Sequence, residues 1–404
     1  MPAHHDVPGG LGRSQRQRDL STAGGPGARP RSGDVRRFPD QVRPRERPPA
    51  VGPRAGRRPS GASLATGAGA TAVAQQADPA RQENTRQMAA GYQENKECHV
   101  RPICLLEYTG AIFERFVNLG DDIQTLAVSR LVPRVDGYVS REALNQVAEP
   151  CTVPMNGFFM NTGNWPPSAQ VSPVFFAFHI SPPAQAVICS PEGIDYLRRW
   201  QPIGCRDRGT QALLERHGVQ AYYSRCVTLT LPRRERSPEG EGEVFLVGLS
   251  PAARRAVPAS IRKRAIVVDQ AKLRLPIGNT RLRLELAGEL LDQYRRRARL
   301  VITSKIHCAM PCIAMGIPVV FLYDAAQRDD YRVKIIDDLV GIQYVHNSGP
   351  LAALRNLHLA RGIDWNPPPL DIESLKLEIA AEFGRAFNRV HAGEPGVAEA
   401  ESAT

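Results

Sequence analysis

The sequence predicts an α/β protein in which two domains face a cleft, preceded by a disordered N-terminal tail. Short apolar segments alternate with segments of helical periodicity on both sides of about residue 205, a pattern typical of parallel sheets covered by helices. Charged or glycine-containing turns follow several of these apolar segments. Because such folds hold ligands at the carboxyl ends of their strands, we expect the function to lie in these turns.

The domain boundaries follow from shifts in composition. Residues 1–96 are rich in Pro, Gly, Arg and Ala and are expected to form a disordered basic tail. Residues 97–200 are expected to form an N-terminal α/β domain and residues 201–345 a C-terminal one. We expect residues 346–391 to form a loop and a helix that packs back on the first domain, and residues 392–404 to be disordered.

The charge distribution argues against a nucleic-acid binder. Residues 1–96 carry 16 Lys and Arg against 8 Asp and Glu, so the tail holds +8 of the net +11 and the remaining chain only +3. A nucleic-acid-binding domain should carry its own basic surface. A second interpretation of the tail is that it is not translated naturally and that the chain starts at Met88.

No membrane segment, cofactor or metal is expected. The sequence has no stretch near 18 consecutive apolar residues and no secretory signal, so we expect a cytoplasmic protein without a membrane span. The eight cysteines show no C-x-x-C spacing, which indicates buried free thiols and neither a metal site nor a disulfide framework. No G-x-G-x-x-G follows the first strand, which disfavours a dinucleotide cofactor.

The first half of the ordered region begins with a predicted strand over residues 101–109. Asp121 is expected to cap the following helix, whose apolar positions include Ile123. Residues 156–166 combine polar and aromatic side chains and are suited to a sugar-facing loop. His179 ends a predicted strand over residues 174–180, where it has either a structural role or faces the cleft.

The middle of the chain contains a first candidate anion site. After a predicted helix over residues 192–200, a strand over residues 202–206 ends in a turn with Arg206 and Arg208, and Asp207 or Thr210 is expected to cap the next helix. Arginines beside a helix N-terminus are suited to binding phosphate or carboxylate. Residues 219–231, with an alternating Thr-Leu-Thr pattern, are predicted to be a strand.

The second candidate anion site lies in residues 300–322, which predict strand, polar turn, short helix, glycine stop and strand. Lys305 and His307 fall in the turn, where free N–H groups of a helix can hold an anion beside a positive side chain. The alternative is that Lys305 is solvated and His307 only caps the helix. Strands are also predicted at residues 244–249 and 265–268, and helices at residues 282–299, 331–339 and 372–390.

These turns carry the resemblance to a known family. Ser304-Lys305-Ile306-His307, followed by Pro311 and Gly316-Ile317-Pro318, resembles the signature of the polysaccharide pyruvyl transferases, whose turn usually reads Ser-Arg-Leu-His. Asn118-Leu119-Gly120-Asp121-Asp122 and Ile203-Gly204-Cys205-Arg206-Asp207 support the resemblance, and the three motifs occur in the expected order. This chain has Lys305 where Arg is usual in the family.

The resemblance implies two Rossmann-like domains facing a cleft, as in the B-type glycosyltransferases. It implies transfer of the pyruvyl group of phosphoenolpyruvate onto a pair of sugar hydroxyls of a polysaccharide or glycan precursor, with phosphate released and no cofactor. The C-terminal α/β domain would bind the donor, and His307 would be the general acid. The implied substrate-binding residues are Arg206, Lys305, Ile306, Arg208, Asn118 and Asp121.

Two alternatives remain open from the sequence. A B-type glycosyltransferase with a nucleotide-sugar donor would use the same cleft and the same helix ends. A non-catalytic carbohydrate-binding relative is also compatible, because Lys offers a point charge where Arg offers a two-pronged donor.

Overall fold

A computed structural model describes residues 101–391 except 109–115, 161, 239–241 and 275–277. All of these residues belong to one compact unit of the chain. The predictions for residues 1–96, for a start at Met88 and for residues 392–404 lie outside the described residues.

The first half is built on a parallel sheet whose strand order is β2-β1-β3-β4-β5-β6. Strands β3 to β6 form one ladder, and the pair β1 and β2 joins it through a bridge between Ile103 and Thr152. Strand β4 is buried along its whole length, as expected for a parallel strand covered on both faces. The strands are β1 Cys104–Glu107, β2 Gly137–Ser140, β3 Cys151–Phe159, β4 Val171–Ile180, β5 Ile203–Cys205 and β6 Ala221–Tyr223.

The second half is built on a five-stranded parallel sheet of order β8-β7-β9-β10-β11. In both sheets the first strand along the chain lies between the second and the third, an arrangement that leaves a crevice for ligands beside the first strand. The predicted mixed α/β fold with parallel sheets is therefore confirmed. The strands are β7 Glu243–Val247, β8 Ile266–Val268, β9 Ala298–Thr303, β10 Val319–Asp324 and β11 Gln343–Val345.

Helices connect the strands and cover both sheets. They are α1 Leu119–Ser129, α2 Gln185–Ile188, α3 Pro191–Arg199, α4 Arg208–Arg216, α5 Pro251–Ala256, α6 Ala259–Arg262, α7 Thr280–Arg297, α8 Ile306–Ala314, α9 Ala352–Gly362 and α10 Glu373–His391. Short 3₁₀ segments lie at Arg141–Gln146, Pro182–Ala184, Val227–Thr230, Ala325–Gln327 and Tyr331–Ile336.

The largest apolar core is shared by the two sheets. It contains Phe176 of β4, Phe321 of β10 and Phe383 of α10, all almost fully buried. Phe383 meets Phe176 edge-on with ring centroids 5.5 Å apart, so α10 packs against the first sheet. His391 at the end of α10 lies 3.0 Å from the Thr152 hydroxyl of β3.

Several predicted elements need correction. Asn118, and not Asp121, caps α1, because its side-chain oxygen accepts from the Gly120 N–H at 3.1 Å. The strand predicted over residues 219–231 is limited to β6. Beyond it Arg225 adopts a φ of 63°, and the segment Val227–Thr230 is a 3₁₀ turn buried among α1, α8 and α10.

Two more differences concern helices and the proposed sugar-facing loop. Helix α9 was not predicted, and the predicted helix at residues 331–339 is a 3₁₀ segment over Tyr331–Ile336. Within the stretch 156–166, residues up to Phe159 belong to β3, and Trp165 is buried against Phe178 and Tyr196. Trp165 is thus a core residue and does not present an open face to a sugar.

Candidate active site

A cavity of about 910 Å³ opens where the strands of both sheets end. Tyr108 follows β1 and Arg206 follows β5 of the first sheet, while Gly248 follows β7 and Ser304 follows β9 of the second. The ends of β7 and β9 form the crevice of the second sheet, where parallel α/β proteins hold their ligands.

The cavity brings together six of the seven residues that the sequence suggested. They are Asn118, Asp121, Arg206, Lys305, Ile306 and His307. Arg208 is not among the described residues that line the cavity. Its guanidinium lies 4.4 Å from the ring centroid of Tyr223, and Arg208 is the first residue of α4.

Arg206 is the most informative of these side chains. It is 1% exposed, and neither its Nε nor its Nη1 has a hydrogen-bond partner among the described residues. The nearest carboxylate oxygen, Asp207 Oδ2, lies 3.9 Å from Nε. Burial lowers the pKa of Arg206 and Asp207 opposes that decrease, and a buried cation with unbonded N–H groups is costly. The guanidinium is therefore prepared for an anionic ligand.

Arg141 supplies a second buried guanidinium that the sequence did not reveal. It begins a 3₁₀ segment, bonds Glu142 Oε1 through Nε at 2.8 Å, and leaves Nη1 without a partner among the described residues. Its guanidinium carbon lies 4.8 Å from the ring centroid of Tyr108 and 5.5 Å from that of Phe158. Stacking on the two rings and the bond to Glu142 hold Arg141 in place, and its Nη1 remains available at the cavity.

The turn between β9 and α8 leaves a helix N-terminus without a side-chain cap. Lys305 occupies the capping position, and as a cation it cannot accept the helix N–H groups. Its backbone N–H donates to Thr303 Oγ1 at 3.0 Å, and Ser304 Oγ donates to the Gly248 carbonyl at 2.5 Å. The first N–H groups of α8 are thus available to an anion.

Gly248 makes room for Lys305. It has a φ of +60°, and a Cβ there would lie 2.6 Å from Lys305 Cε, so the lysine stem passes directly over the glycine. Lys305 forms no ion pair with any described residue. Burial lowers its pKa from the ordinary value, with Asp269 acting in the opposite direction.

His307 lies on the cavity wall with its Nε2 buried and without a partner among the described residues. Its backbone angles (φ −83°, ψ 19°) depart from the helix. Pro311 has no N–H to bond the His307 carbonyl, and Gln270 Nε2 donates to that carbonyl at 3.2 Å instead. Burial, followed by Arg206, holds the pKa of His307 well below its usual range, so the imidazole is neutral near pH 7 in the free protein.

Gln270 connects this histidine to the start of α1. Its side-chain oxygen accepts from Tyr294 OH at 3.3 Å, and its backbone carbonyl accepts from the Leu119 N–H at 2.8 Å. Gly120 approaches so closely that a Cβ would lie 3.1 Å from His307 Cβ. The loop that carries Asn118 and Asp121 is therefore locked against His307.

Asp121 is a carboxylate among the cations. Its oxygens accept from Asn118 Nδ2 and Gln124 Nε2, each at 3.3 Å. Burial raises its pKa, and the cations Arg141 and Arg283 oppose that increase. Arg283 itself is neutralised by a buried ion pair with Asp122 at 3.0 Å, so it fastens α7 to α1.

His179 lies behind the cavity in a pair with Asp207. Nδ1 and the Asp207 Oδ2 are 2.7 Å apart, and Asp207 also caps α4 by accepting from the Thr210 N–H at 2.8 Å. Burial, followed by Arg206, lowers the pKa of His179 to about 4. His179 is not among the described residues that line the cavity, and its contacts are those of a residue that holds the Arg206 turn in place.

Arg332 reaches the cavity from the second half of the chain. Tyr331 packs over Gly209 and donates to the Ile180 carbonyl at 2.9 Å, which ties this 3₁₀ segment to the first sheet. The Arg332 guanidinium donates to both carboxylate oxygens of Asp330, from Nε to Oδ1 at 2.9 Å and from Nη2 to Oδ2 at 2.5 Å. The pair fixes Arg332 at the wall of the cavity.

The described residues hold no group of three His, Cys, Asp or Glu side chains that could bind a metal ion. Among them there is also no helix long and apolar enough to cross a membrane.

The strand ends of this parallel α/β protein gather cations around one cavity, an arrangement suited to a small polyanion. Comparison with known proteins gives the family to which it is similar: residues 174–324 match the family model described as polysaccharide pyruvyl transferase. This match confirms the resemblance seen in the sequence, and it supports a transferase. Arg206, Lys305 and His307 fall inside the matched span.

Comparisons with curated proteins and with solved structures give no further support for the family. No curated protein matches the chain. A similar solved structure is that of a mutant O-GlcNAc transferase from Thermobaculum terrenum, which is 14% identical, with 75% of this chain and 67% of that chain covered and a TM-score of 0.26. That score is too low to support an argument from the likeness.

Proposed function

We propose that this protein transfers the pyruvyl group of phosphoenolpyruvate to a pair of hydroxyls on a sugar, forming a ketal and releasing phosphate. The observation that carries the proposal is the Arg206 guanidinium, which is buried at the cavity and whose Nε and Nη1 have no hydrogen-bond partner among the described residues. The start of α8, where Lys305 does not cap the helix, lies around the same cavity, as does His307 Nε2, for which the described part of the chain offers no partner.

The cations at the cavity suit this donor. Six cations line it against three carboxylates, and three of those cations, Arg141, Arg283 and Arg332, are each paired with a further carboxylate outside the lining. Phosphoenolpyruvate carries a phosphate and a carboxylate on adjacent positions. Arg206 can bind an anionic group through Nε or Nη1 and Arg141 can bind one through Nη1, while Lys305 adds a point charge beside the α8 N–H groups.

The chemistry needs a proton at the methylene carbon as a sugar oxygen attacks the adjacent carbon. His307 would supply that proton through Nε2. Its pKa is low in the free protein, and a bound trianion would raise that pKa and favour the protonated imidazole. Asp121 would receive the proton of the attacking hydroxyl.

The second hydroxyl would then displace phosphate. It forms the second carbon–oxygen bond of the ketal, the bond to phosphate breaks, and the hydroxyl proton leaves with the phosphate. Cations around the leaving group stabilise the charge that develops on it.

The strand orders of the two sheets support the finer architecture that the family implies, two Rossmann-like domains facing the cavity as in B-type glycosyltransferases. We also infer a role in making a surface or exported polysaccharide, in the cytoplasm, with no cofactor beyond the donor. No binding of nucleic acid is part of this function.

One observation favours a second candidate donor. A cavity of about 910 Å³ is much larger than phosphoenolpyruvate needs and lies at the upper end of ordinary ligand pockets. The extra space near Gly248, Ser250 and Asn347 would hold the acceptor sugar in a pyruvyl transferase, but it would hold a nucleotide in a glycosyltransferase.

Calorimetric titration separates the two functions. The proposed transferase binds phosphoenolpyruvate without added nucleotide and releases phosphate when a suitable oligosaccharide is present. Binding of UDP- or GDP-sugars with no response to phosphoenolpyruvate would favour the glycosyltransferase. Phosphoenolpyruvate binding without phosphate release from any of a panel of glycans would favour a non-catalytic relative.

A further inference from the structure

A basic and apolar surface beside the cavity has no role in the proposed reaction. It is formed by α5, α6 and α9 on the outer side of the second sheet, where α9 packs against α5. Residues 249–264 and 349–363 contain seven Lys and Arg and no Asp or Glu. This concentration contrasts with the net +3 of the whole chain after residue 96, which follows from +11 in total and +8 in the tail. We call it the basic face.

Helix α9 exposes leucines on this face. Leu354 and Leu357 are 65% and 53% exposed, and their spacing of three places them on one side of the helix. Leu351, which directly precedes α9, is 51% exposed. Arg355 and Arg361 are exposed on the same helix. Scattered single leucines are ordinary on surfaces, but exposed leucines clustered beside cations offer an apolar and a charged contact to the interface of an anionic membrane.

The opposite side of α9 fixes its orientation. Asn356 is buried and makes two hydrogen bonds of 2.9 Å with the backbone N–H and carbonyl of His346, just after β11. The neighbouring Asn347 lines the cavity and is bonded by Ser250 Oγ at 2.6 Å. Helix α9, which carries the exposed leucines, is therefore anchored through Asn356 to the segment that lines the cavity at Asn347.

Further cations surround a surface depression of about 510 Å³ at α5 and α6. Arg254, Arg255, Arg262 and Lys263 line it, and it shares Leu249 and Pro251 with the main cavity. Basic side chains near an anionic bilayer each contribute binding free energy, and exposed leucines add the hydrophobic part.

We propose that the basic face docks on the surface of a membrane rich in anionic lipids, which would bring the cavity mouth to the bilayer. An anionic partner follows from the cations and the missing carboxylates, and a lipid partner follows from the leucines, which a nucleic-acid surface would not use. Docking of this kind needs no spanning helix. It would present the cavity to glycans that are attached to membrane lipids, a consequence that rests on the proposed function.

Vesicle sedimentation of the full chain tests the proposal, with phosphatidylcholine vesicles alone and with vesicles that also contain phosphatidylglycerol. The basic tail is identical in all variants, so the comparison between variants carries the test. Leu354→Ser with Leu357→Ser should weaken binding to the anionic vesicles at least about tenfold. Arg254→Gln with Arg255→Gln should weaken it about fivefold for each charge removed, and less at high salt.

The matched controls lie on other helices. Leu377→Ser, at a leucine of α10 that is 73% exposed, and Arg281→Gln in α7 should bind vesicles like the wild type. Phosphoenolpyruvate affinity should be unchanged in the leucine variants, which checks their fold.

Three results would overturn the proposal. Equal binding by wild type and both double variants would assign vesicle binding to the tail. A loss in the arginine variant alone, with duplex DNA competing for the protein, would indicate a general polyanion surface. A dimer in sedimentation velocity that the leucine variant converts to a monomer would indicate an interface between two copies.

Discussion

Two strand-to-helix turns meet at the cavity, and they differ in how they treat the free N–H groups at the start of the following helix. After β5, Asp207 caps α4 and pairs with His179, so this turn satisfies its own helix N-terminus and holds one buried cation, Arg206. After β9, Lys305 takes the capping position of α8 without capping it, and His307 follows. The first turn is a rigid support for a charge, and the second keeps its polar groups available for the ligand.

The difference explains why the two turns should respond differently to mutation. Changes in the β5 turn should alter binding and stability together, because each of its groups is already bonded or buried. In the β9 turn, changes at His307 should act mainly on turnover, and changes at Lys305 mainly on the pH dependence of donor affinity. The predictions below use that contrast, from the largest expected effect to the smallest.

The largest effect is expected for His307. His307→Gln keeps a polar side chain but cannot hold a transferable proton, so turnover should fall about 10²–10⁴-fold with little change in phosphoenolpyruvate affinity. Phosphate release gives the turnover and calorimetry gives the affinity. Near-normal turnover in this variant would restrict His307 to a phosphate contact, and the acid would lie elsewhere.

Gln270 should matter through His307. Gln270→Met removes the donor to the His307 carbonyl and leaves that group unbonded, so the imidazole should lose its fixed position. We expect turnover to fall about 10- to 10²-fold with a smaller change in donor affinity. Gln293→Met, on the exposed side of α7, is the control and should behave like the wild type. Equal losses in affinity and turnover would contradict a positioning role.

Lys305→Arg should have a modest effect that depends on pH. Because burial lowers the pKa of Lys305, the wild type should lose donor affinity as the pH rises toward that lowered value, whereas Arg stays charged. The variant should bind phosphoenolpyruvate at least as well at pH 7 and retain affinity at alkaline pH. Weaker binding at every pH would mean that the pocket over Gly248 is shaped for lysine.

The smallest effect concerns stability and the β5 turn. His179 has a folded-state pKa of about 4 against about 6.5 in the unfolded chain, so the unfolded state binds more protons between these values. Its contribution to stability is complete above about pH 6.5 and is lost as the pH falls toward 4.

Urea unfolding at pH 7 and pH 5 measures this contribution. The free energy of unfolding should fall between the two pH values by about 2 kcal/mol more in the wild type than in His179→Gln. An unchanged pH dependence in His179→Gln would show that other groups cause it.

Sequence reasoning found the cavity residues that come directly after a strand and belong to a local motif. Arg206, Lys305 and His307 each come just after an apolar segment, and parallel strands deliver such residues to one edge of a sheet. Arg141 and Arg332 could not be found in this way. They start or lie in 3₁₀ segments without a periodic pattern, and tertiary contacts such as Tyr331 over Gly209 bring Arg332 to the cavity.

The role of Gln270 could be predicted only in part from the sequence. Pro311 is visible in the sequence, and a proline inside a helix always leaves a carbonyl four residues earlier without its usual donor. The identity of the substitute donor depends on how α8 packs against a loop 37 residues away in the chain. The strand prediction for residues 227–230 was wrong for a related reason. Val227, Thr228 and Leu229 are all buried, so the alternation of Thr and Leu does not indicate which side chains face the core.

Arg206 offers the most direct test of the account. It is buried, its Nε and Nη1 have no hydrogen-bond partner among the described residues, and its nearest carboxylate oxygen is 3.9 Å away, so it should cost stability and serve binding. In Arg206→Met the free energy of unfolding without ligand should rise by about 1–4 kcal/mol, while phosphoenolpyruvate binding should weaken by about 1.5–3 kcal/mol. Arg208→Met, at the neighbouring arginine that lies over Tyr223, should change neither strongly. The two quantities are measured by denaturant unfolding and calorimetric titration on the same preparations. A less stable Arg206→Met variant that still binds phosphoenolpyruvate like the wild type would contradict the anion site.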